Sequence, residues 1–178
     1  GPGRPFDWIR GGPKAIDKEN IKAALHGSLK RLNTDYIDLY QIHWPDRYVP
    51  NFGPSFYDVS NKRDATPFLD QLDELNKFVK SGKIKHIGLS NETPFGVLYF
   101  QELSKKHGLT PMVSIQNAYN LLNRRYEYGL SEVTDHTGIP LLAYSPLAFG
   151  HLTGKYLKNG NNKGSRLSEF PEFGVRYD

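Results

Sequence analysis

The side chains best suited to chemistry follow four short apolar stretches of the chain. In chain order they are His43-Trp44, Ser90-Asn91-Glu92, Gln116-Asn117 and Tyr144-Ser145. Parallel α/β folds bind ligands at the carboxyl ends of their strands, so these positions are candidates for one shared site. Each residue alone has a simpler interpretation: a lone histidine is usually structural, and Ser90 or Asn91 could cap the next helix. Their expected convergence at one edge is what favours a functional site.

Two acidic residues leave a second chemistry open. Asp46 and Glu92 lie past adjacent predicted strands, and glycosidases work with a pair of carboxyl groups. Metal chemistry is not indicated, because the sequence has no cysteine and no two of its six histidines are four residues apart. Residues 150–156, GHLTGKY, have one residue too few between the glycines for a Walker phosphate loop, and a tyrosine where Ser or Thr is needed.

The elements that would position these residues alternate regularly. Strands are predicted at 36–42, 84–89, 112–115 and 139–144 from their short runs of β-forming residues. An apolar stripe at helical spacing predicts a first helix between Asp17 as N-cap and Asn33. Thr66-Pro67 and Thr93-Pro94 predict the starts of two more helices, and a further one is predicted from about 126 to 137. The last three helices each stop at a glycine, at positions 82, 108 and 138.

This alternation predicts an α/β fold with a parallel sheet buried by crossover helices. No Gly-x-Gly-x-x-Gly follows a strand, which argues against a dinucleotide-binding open sheet, but periodicity does not decide between an open sheet and a closed barrel. An eight-stranded barrel takes about 250 residues, so in that case the 178 residues would be part of one. The long insertion at 45–65 carries Tyr48, Phe52, Phe56 and Tyr57 and is predicted to flank a pocket.

Composition narrows the function class. The chain has 23 basic and 19 acidic residues, a net charge of +4, and the basic residues are scattered, which argues against a nucleic-acid surface. No apolar run approaches the ~20 residues that cross a bilayer. The lack of cysteine is compatible with a reducing compartment. We expect a globular enzyme or binding domain.

Four motifs in order resemble the aldo-keto reductase superfamily. They are LNTDYIDLYQIHWP at 32–45, GKIKHIGLSNE at 82–92, SIQNAYNLLNR at 114–124 and LLAYSPLAFGHLTGKY at 141–156. The chain looks most like the Tas-like branch, with the β subunits of voltage-gated potassium channels as more distant relatives. The resemblance implies a (β/α)8 TIM barrel that binds NADPH without a glycine fingerprint. Residues 1–178 would then be a single partial domain, roughly the middle half of the barrel.

The resemblance also implies roles for particular residues. His43 matches the active-site histidine that orients the substrate carbonyl, and Trp44 lines the substrate pocket. Ser90, Asn91 and Gln116 match the side chains that hold the nicotinamide carboxamide. The remaining matches are Tyr144, which stacks on the nicotinamide ring; Ser145, Leu147, Ala148, Gly150 and Leu152 in the loop over the pyrophosphate; and Lys155 and Arg166 near the phosphates.

The implied activity is reduction of aldehydes and ketones to alcohols with NADPH, by a cytoplasmic or plastid protein. Its partner would be a small carbonyl substrate; no nucleic acid, membrane or metal is expected, and a homo-oligomer is left open. A nucleotide-binding regulatory subunit, as in the channel proteins, is the alternative. The family's proton donor is a tyrosine in an Asp-x-x-x-x-Tyr-Gly context, supported by an aspartate and a lysine. No such motif occurs here, so the 178 residues alone are expected to be inactive.

Overall fold

The computed structural model describes residues 15–50, 56–157 and 164–171. Their strands are β1 (Ile37–Ile42), β2 (Ile84–Ser90), β3 (Met112–Ala118) and β4 (Leu141–Tyr144). Their helices are α1 (Lys18–Leu32), α2 (Phe68–Lys80), α3 (Pro94–His107), α4 (Leu130–Thr137) and the short α5 (Arg166–Glu169). Short 3-10 helices lie at Val59–Asn61, Arg125–Glu127 and Ala148–Thr153. The predicted alternation of strands and helices is confirmed.

The four strands form one parallel sheet in the order β1-β2-β3-β4. Near their carboxyl ends Ile42 pairs with Leu89, and Ser90 pairs with Gln116. Parallel neighbours need a crossover connection, which α2, α3 and α4 supply, so all four strands end at the same edge. The residues that follow the strands therefore lie together, as the sequence predicted.

Helix α1 shows how local sequence sets an element. The Asp17 carboxylate accepts a hydrogen bond of 2.8 Å from the backbone N–H of Asn20, which caps the first turn. Asn33 ends the helix in the left-handed conformation with φ of 51°. Ile21, Leu25 and Leu29 face the core. Both predicted ends of this helix are confirmed.

Two other predicted helix starts need correction. Pro67, not Thr66, stands at the N-cap of α2, and it makes no side-chain cap bond. The backbone N–H of Thr66 instead donates to the Asp46 carboxylate at 2.8 Å. Helix α4 begins at Leu130 and not at about residue 126. The 3-10 segment Arg125–Glu127 and Gly129, with φ of 103°, come before it. The predicted start of α3 is right: the Thr93 hydroxyl accepts from the Gly96 N–H.

The core lies between the sheet and its helices. Its largest fully buried side chains are Leu25, Leu72, Leu75, Ile84, Ile87, Leu89, Val97, Met112 and Ile115. β4 is an outer strand of the sheet and is less covered than the others: Leu142 and Ala143 are exposed. Burial of Leu and Ile between sheet and helices is what holds the strand ends in register, since each such side chain contributes about 1.5–3 kcal/mol.

The insertion at 45–65 is closed at its base. The Asp46 backbone carbonyl accepts from the Arg63 guanidinium at 2.9 Å, beside the Asp46–Thr66 bond. The Tyr48 and Tyr57 rings also contact each other across the loop, with centroids 5.4 Å apart and planes inclined by 44°. Residues 51–55, including Phe52, lie outside the described residues. The base of the loop is thus fixed directly after β1.

Candidate active site

Asn91 lies at the centre of the polar edge and joins two other strand ends. Its side-chain amide donates to the backbone carbonyl of His43 at 2.8 Å. Its amide oxygen accepts from the Tyr144 hydroxyl at 2.6 Å. Asn91 adopts the left-handed conformation, with φ of 54°, which Asn tolerates better than most residues. The residues after β1, β2 and β4 are therefore connected through one side chain.

Ser90 and Gln116 fix the neighbouring strand ends to each other. The Ser90 hydroxyl donates to the Gln116 backbone carbonyl at 2.8 Å, and the Asn91 N–H donates to the same oxygen at 3.0 Å. The Gln116 side chain is half-buried, and no described residue hydrogen-bonds its amide. A carboxamide at this edge is thus free to pair with a ligand that offers both a donor and an acceptor.

His43 and Trp44 form the β1 side of the edge. The His43 imidazole is exposed there, while Trp44 is buried beneath it, with ring centroids 4.3 Å apart and planes inclined by 43°. Partial desolvation lowers the pKa of His43 below its ordinary 6.5. The imidazole is accordingly neutral at neutral pH, when one ring nitrogen can donate and the other can accept.

The segment after β4 turns sharply over this edge. Ser145, Ala148 and Phe149 have positive φ angles of 55°, 46° and 54°, and Gly150 has 104°. Ala148 and Gly150 are buried, and the Asn120 side chain donates to the Ser145 carbonyl at 2.8 Å. Backbone conformations of this kind cluster at ligand-binding sites, where their strain is held by surrounding contacts.

The other predicted residues of this segment lie along the same turn. Leu147 is exposed, and Leu152 is half-buried in the 3-10 segment. The Lys155 ammonium lies 5.1 Å from the centre of the Tyr156 ring, and the Arg166 guanidinium 4.9 Å from that of Phe149. Both cations are therefore next to the turn, on the side opposite to His43 along the strand order.

The acidic pair does not have the form of a glycosidase site. Glu92 is bound by Arg47 through both carboxylate oxygens, at 2.6 and 3.0 Å. The Asp46 carboxylate accepts from the Thr66 N–H and is also buried. Carboxyl groups committed in this way are structural, because Arg47 and the Thr66 N–H already bind their oxygens. The glycoside hydrolase alternative is therefore wrong.

Sequence reasoning missed Arg47 and Asn120, and it named Asn117 as a candidate without predicting that this residue supports the edge. Arg47 holds Glu92, Asn120 holds Ser145, and Asn117 brackets Glu92 by accepting from its N–H at 3.2 Å and donating to its carbonyl at 2.9 Å. Asn117 and Asn120 lie within a motif already noted, which was the available signal. Across the described ranges, no group of three or more acidic, His or Cys side chains could hold a metal, and no helix is long and apolar enough to cross a membrane.

Comparison with known proteins relates the chain to a family. Residues 6–172 match the family model described as the aldo/keto reductase family. Protein Tas of Escherichia coli is 49% identical over 177 residues, which are 99% of this chain and 51% of Tas. An aldo-keto reductase of Babesia bovis is 49% identical over 183 residues, covering 97% of this chain and 64% of the relative. The chain thus spans about half the length of Tas.

A solved structure agrees at the level of the fold. The crystal structure of a proposed 2,5-diketo-D-gluconic acid reductase B aligns with a TM-score of 0.57 and 24% identity. The alignment covers 76% of this chain and 40% of the other. The likeness supports the same parallel arrangement of strands and helices.

Proposed function

The chain belongs to the aldo/keto reductase family of oxidoreductases, and from this premise we propose that the whole protein reduces aldehydes and ketones to alcohols with NADPH. The family fold is a (β/α)8 barrel, and the four parallel strands are part of one. The observation that carries the proposal is that the Asn91 side chain hydrogen-bonds both the His43 carbonyl and the Tyr144 hydroxyl. These two bonds bring three strand ends together. Barrel enzymes place their reacting groups at these ends.

The residues at the edge fit a nicotinamide nucleotide. Gln116 offers a carboxamide, and Ser90 and Asn91 border it, so a nicotinamide amide could be held between them. When bound, the nicotinamide supplies the hydride. Tyr144 is half-buried on the β4 side with its hydroxyl fixed by Asn91, and its ring would stack on the nicotinamide.

The segment after β4 suits the phosphate end of the nucleotide. Ser145, Leu147, Ala148, Gly150 and Leu152 supply a compact turn that would lie against the phosphates. The N–H groups of Ala148, Gly150 and Leu152 donate to carbonyls within the turn and so fix its shape. Lys155 and Arg166 add positive charge beside it. A cation at this place favours NADPH over NADH if it reaches the additional phosphate.

The substrate carbonyl would lie next to His43. A neutral imidazole can donate a hydrogen bond to the carbonyl oxygen and so orient it for hydride transfer. Trp44 forms an apolar wall beneath the imidazole, and the 45–65 loop begins directly beyond it. Protonation of the product oxygen needs another group. Because residues 1–178 lack the family's tyrosine motif, we propose that these residues alone are inactive.

The test is carbonyl-dependent oxidation of NADPH by the full-length protein with a panel of aldehydes and ketones. We expect His43→Ala to lower kcat/KM by roughly 100-fold, the scale of one positioning or acid-base group. His26→Ala is the matched control, because His26 lies on α1 and packs edge-on against Phe78, 6.1 Å between centroids. Unchanged activity in His43→Ala, or equal losses in both variants, would contradict the proposal.

A further inference from the structure

An ion pair joins the loops that follow β1 and β2. Arg47 lies three residues beyond Trp44, and Glu92 directly follows Asn91. The two guanidinium nitrogens of Arg47 meet the two carboxylate oxygens of Glu92 at 2.6 and 3.0 Å. The Glu92 side chain is 2% exposed and that of Arg47 20%. Paired contacts of this form fix orientation as well as distance.

The pair is held by a fitted environment. The Arg47 guanidinium also donates to the Thr93 hydroxyl at 2.9 Å, and its centre lies 4.8 Å from the Phe68 ring and 5.5 Å from the Phe95 ring. Glu92 accepts a further bond of 2.7 Å from the Thr93 N–H. The Asn117 side chain binds the Glu92 backbone twice: its amide oxygen accepts from the Glu92 N–H, and its amide nitrogen donates to the Glu92 carbonyl. The pair is thus fixed by hydrogen bonds and by aromatic contacts, and not by its charges alone.

Gly96 shows that the position of the carboxylate is specific. A methyl group on Gly96 would overlap the carboxylate of Glu92, so a residue without a side chain is needed for the approach. The carboxylate thus packs against the first turn of α3. Neither the ion pair nor this packing involves the residues assigned to substrate or cofactor.

The Arg47–Glu92 pair lies next to the contact that aligns the site. Asn91 donates to the His43 carbonyl, and both residues lie within four positions of the ion pair. Because the loops on which His43 and Asn91 lie are held together by only a few polar contacts, loss of the pair would let one loop shift against the other. Misplacement by about 1 Å can cost roughly 100-fold in rate.

We propose that Arg47 and Glu92 are positioning residues of the reductase site, holding His43 and Trp44 in place against Asn91. The inference rests on the proposed function. The pair acts through His43, so its loss affects the reaction of the carbonyl substrate. NADPH affinity changes little, because Ser90 and Asn91 remain bonded to the Gln116 carbonyl when the pair is lost.

The test uses the full-length protein with Arg47→Lys, Glu92→Gln and the double variant. We expect each single variant to lower kcat/KM for the carbonyl by about tenfold or more per folded molecule, while the Kd for NADPH changes less than about threefold. Because both residues act as one unit, the double variant loses little beyond a single variant. Asp38→Asn is the control, because Asp38 pairs with Lys85 at the opposite end of β1 and β2.

A second readout keeps the inference separate from the proposed function. The NMR signal of the His43 imidazole is expected to shift in both single variants and to stay unchanged in Asp38→Asn, with or without turnover. If the wild type reduces no carbonyl compound, the proposed function fails, and the His43 signal still decides this inference. An unshifted His43 signal, or a loss of stability with full kcat/KM per folded molecule, would overturn it.

Discussion

Two ion pairs connect the β1 region to the β2 region, one at each end of the strands, and they are built differently. At the amino end, Lys85 and Asp38 are 2.7 Å apart, and their side chains are 50% and 73% exposed. At the carboxyl end, the Arg47–Glu92 pair is nearly enclosed and meets through two contacts. Exposed pairs are screened by water and salt, whereas an enclosed pair depends on its geometry and additional hydrogen bonds.

The other contacts at the two ends of the strands differ in the same way. The amino-end pair is accompanied by one aromatic contact, with the Lys85 ammonium 4.0 Å from the centre of the Tyr36 ring. The carboxyl end contains Asn91, Tyr144 and Gln116, tied together by hydrogen bonds. Buried polar contacts carry a desolvation cost, and in these two strands they lie at the end where we propose that the nucleotide binds. We infer that the contacts at the carboxyl end serve to position the proposed site residues, whereas those at the amino end have no such role.

The largest expected difference between the ends is in stability. Glu92→Ala leaves the Arg47 guanidinium without its carboxylate partner, so we expect a loss of about 3–5 kcal/mol in the free energy of unfolding. Denaturant unfolding of the full-length protein measures it. Glu92→Gln keeps the shape and some hydrogen bonds and is expected to lose less. A loss below about 1 kcal/mol for Glu92→Ala would place this pair with ordinary surface pairs.

An intermediate effect is expected from crowding the carboxyl end without removing a charge. Gly96→Ala pushes a methyl group against the Glu92 carboxylate, and we expect a loss of about 1–3 kcal/mol in the free energy of unfolding. Gly27→Ala on α1 is the matched control, because its new methyl group would meet only the end of the flexible Arg31 side chain, at 3.1 Å. We expect it to stabilise by roughly 0.5–1 kcal/mol. Equal responses at the two glycines would contradict the account.

The smallest effect is expected at the amino end. The hydrogen bond from Lys85 lowers the pKa of Asp38 below its ordinary 3.8. Any stabilisation from this pair is therefore present above pH 3.8 and is lost as the pH falls through the lower folded-state value. Because both groups are exposed, Asp38→Asn is expected to leave the unfolding midpoint at neutral pH unchanged within error. A loss as large as that of Glu92→Ala would remove the distinction between the two ends.

The features that were predicted best from the sequence depend on contacts between residues close together in the chain. Asp17 and Asn33 set the ends of α1 with partners three or four residues away, so composition and spacing were sufficient. The grouping of His43, Asn91 and Tyr144 followed from a topological rule, since parallel strands end together. To apply this rule, it was enough to know the order of strands and helices along the chain.

What the sequence did not predict depends on long-range partners. Arg47 and Glu92 are 45 residues apart, and nothing local marks them as a pair. The start of α2 was also misplaced: Pro67 is the N-cap, and the Thr66 N–H is bound by Asp46, a partner twenty residues earlier that no local pattern marks. The Arg47–Glu92 contact is therefore visible only in three dimensions, whereas the residues that we propose to contact ligand were selected by their type and position in the sequence.

The most direct test of the central claim is NADPH titration of the full-length protein followed by fluorescence, comparing wild type, Gln116→Ala and Asp38→Asn. The claim is that the carboxyl edge of the sheet binds the nicotinamide. Loss of the Gln116 amide leaves a bound carboxamide unpaired at a cost of about 1–3 kcal/mol, which predicts an affinity weaker by roughly tenfold or more. Asp38→Asn is predicted to bind as wild type. Equal affinity in wild type and Gln116→Ala would contradict the claim.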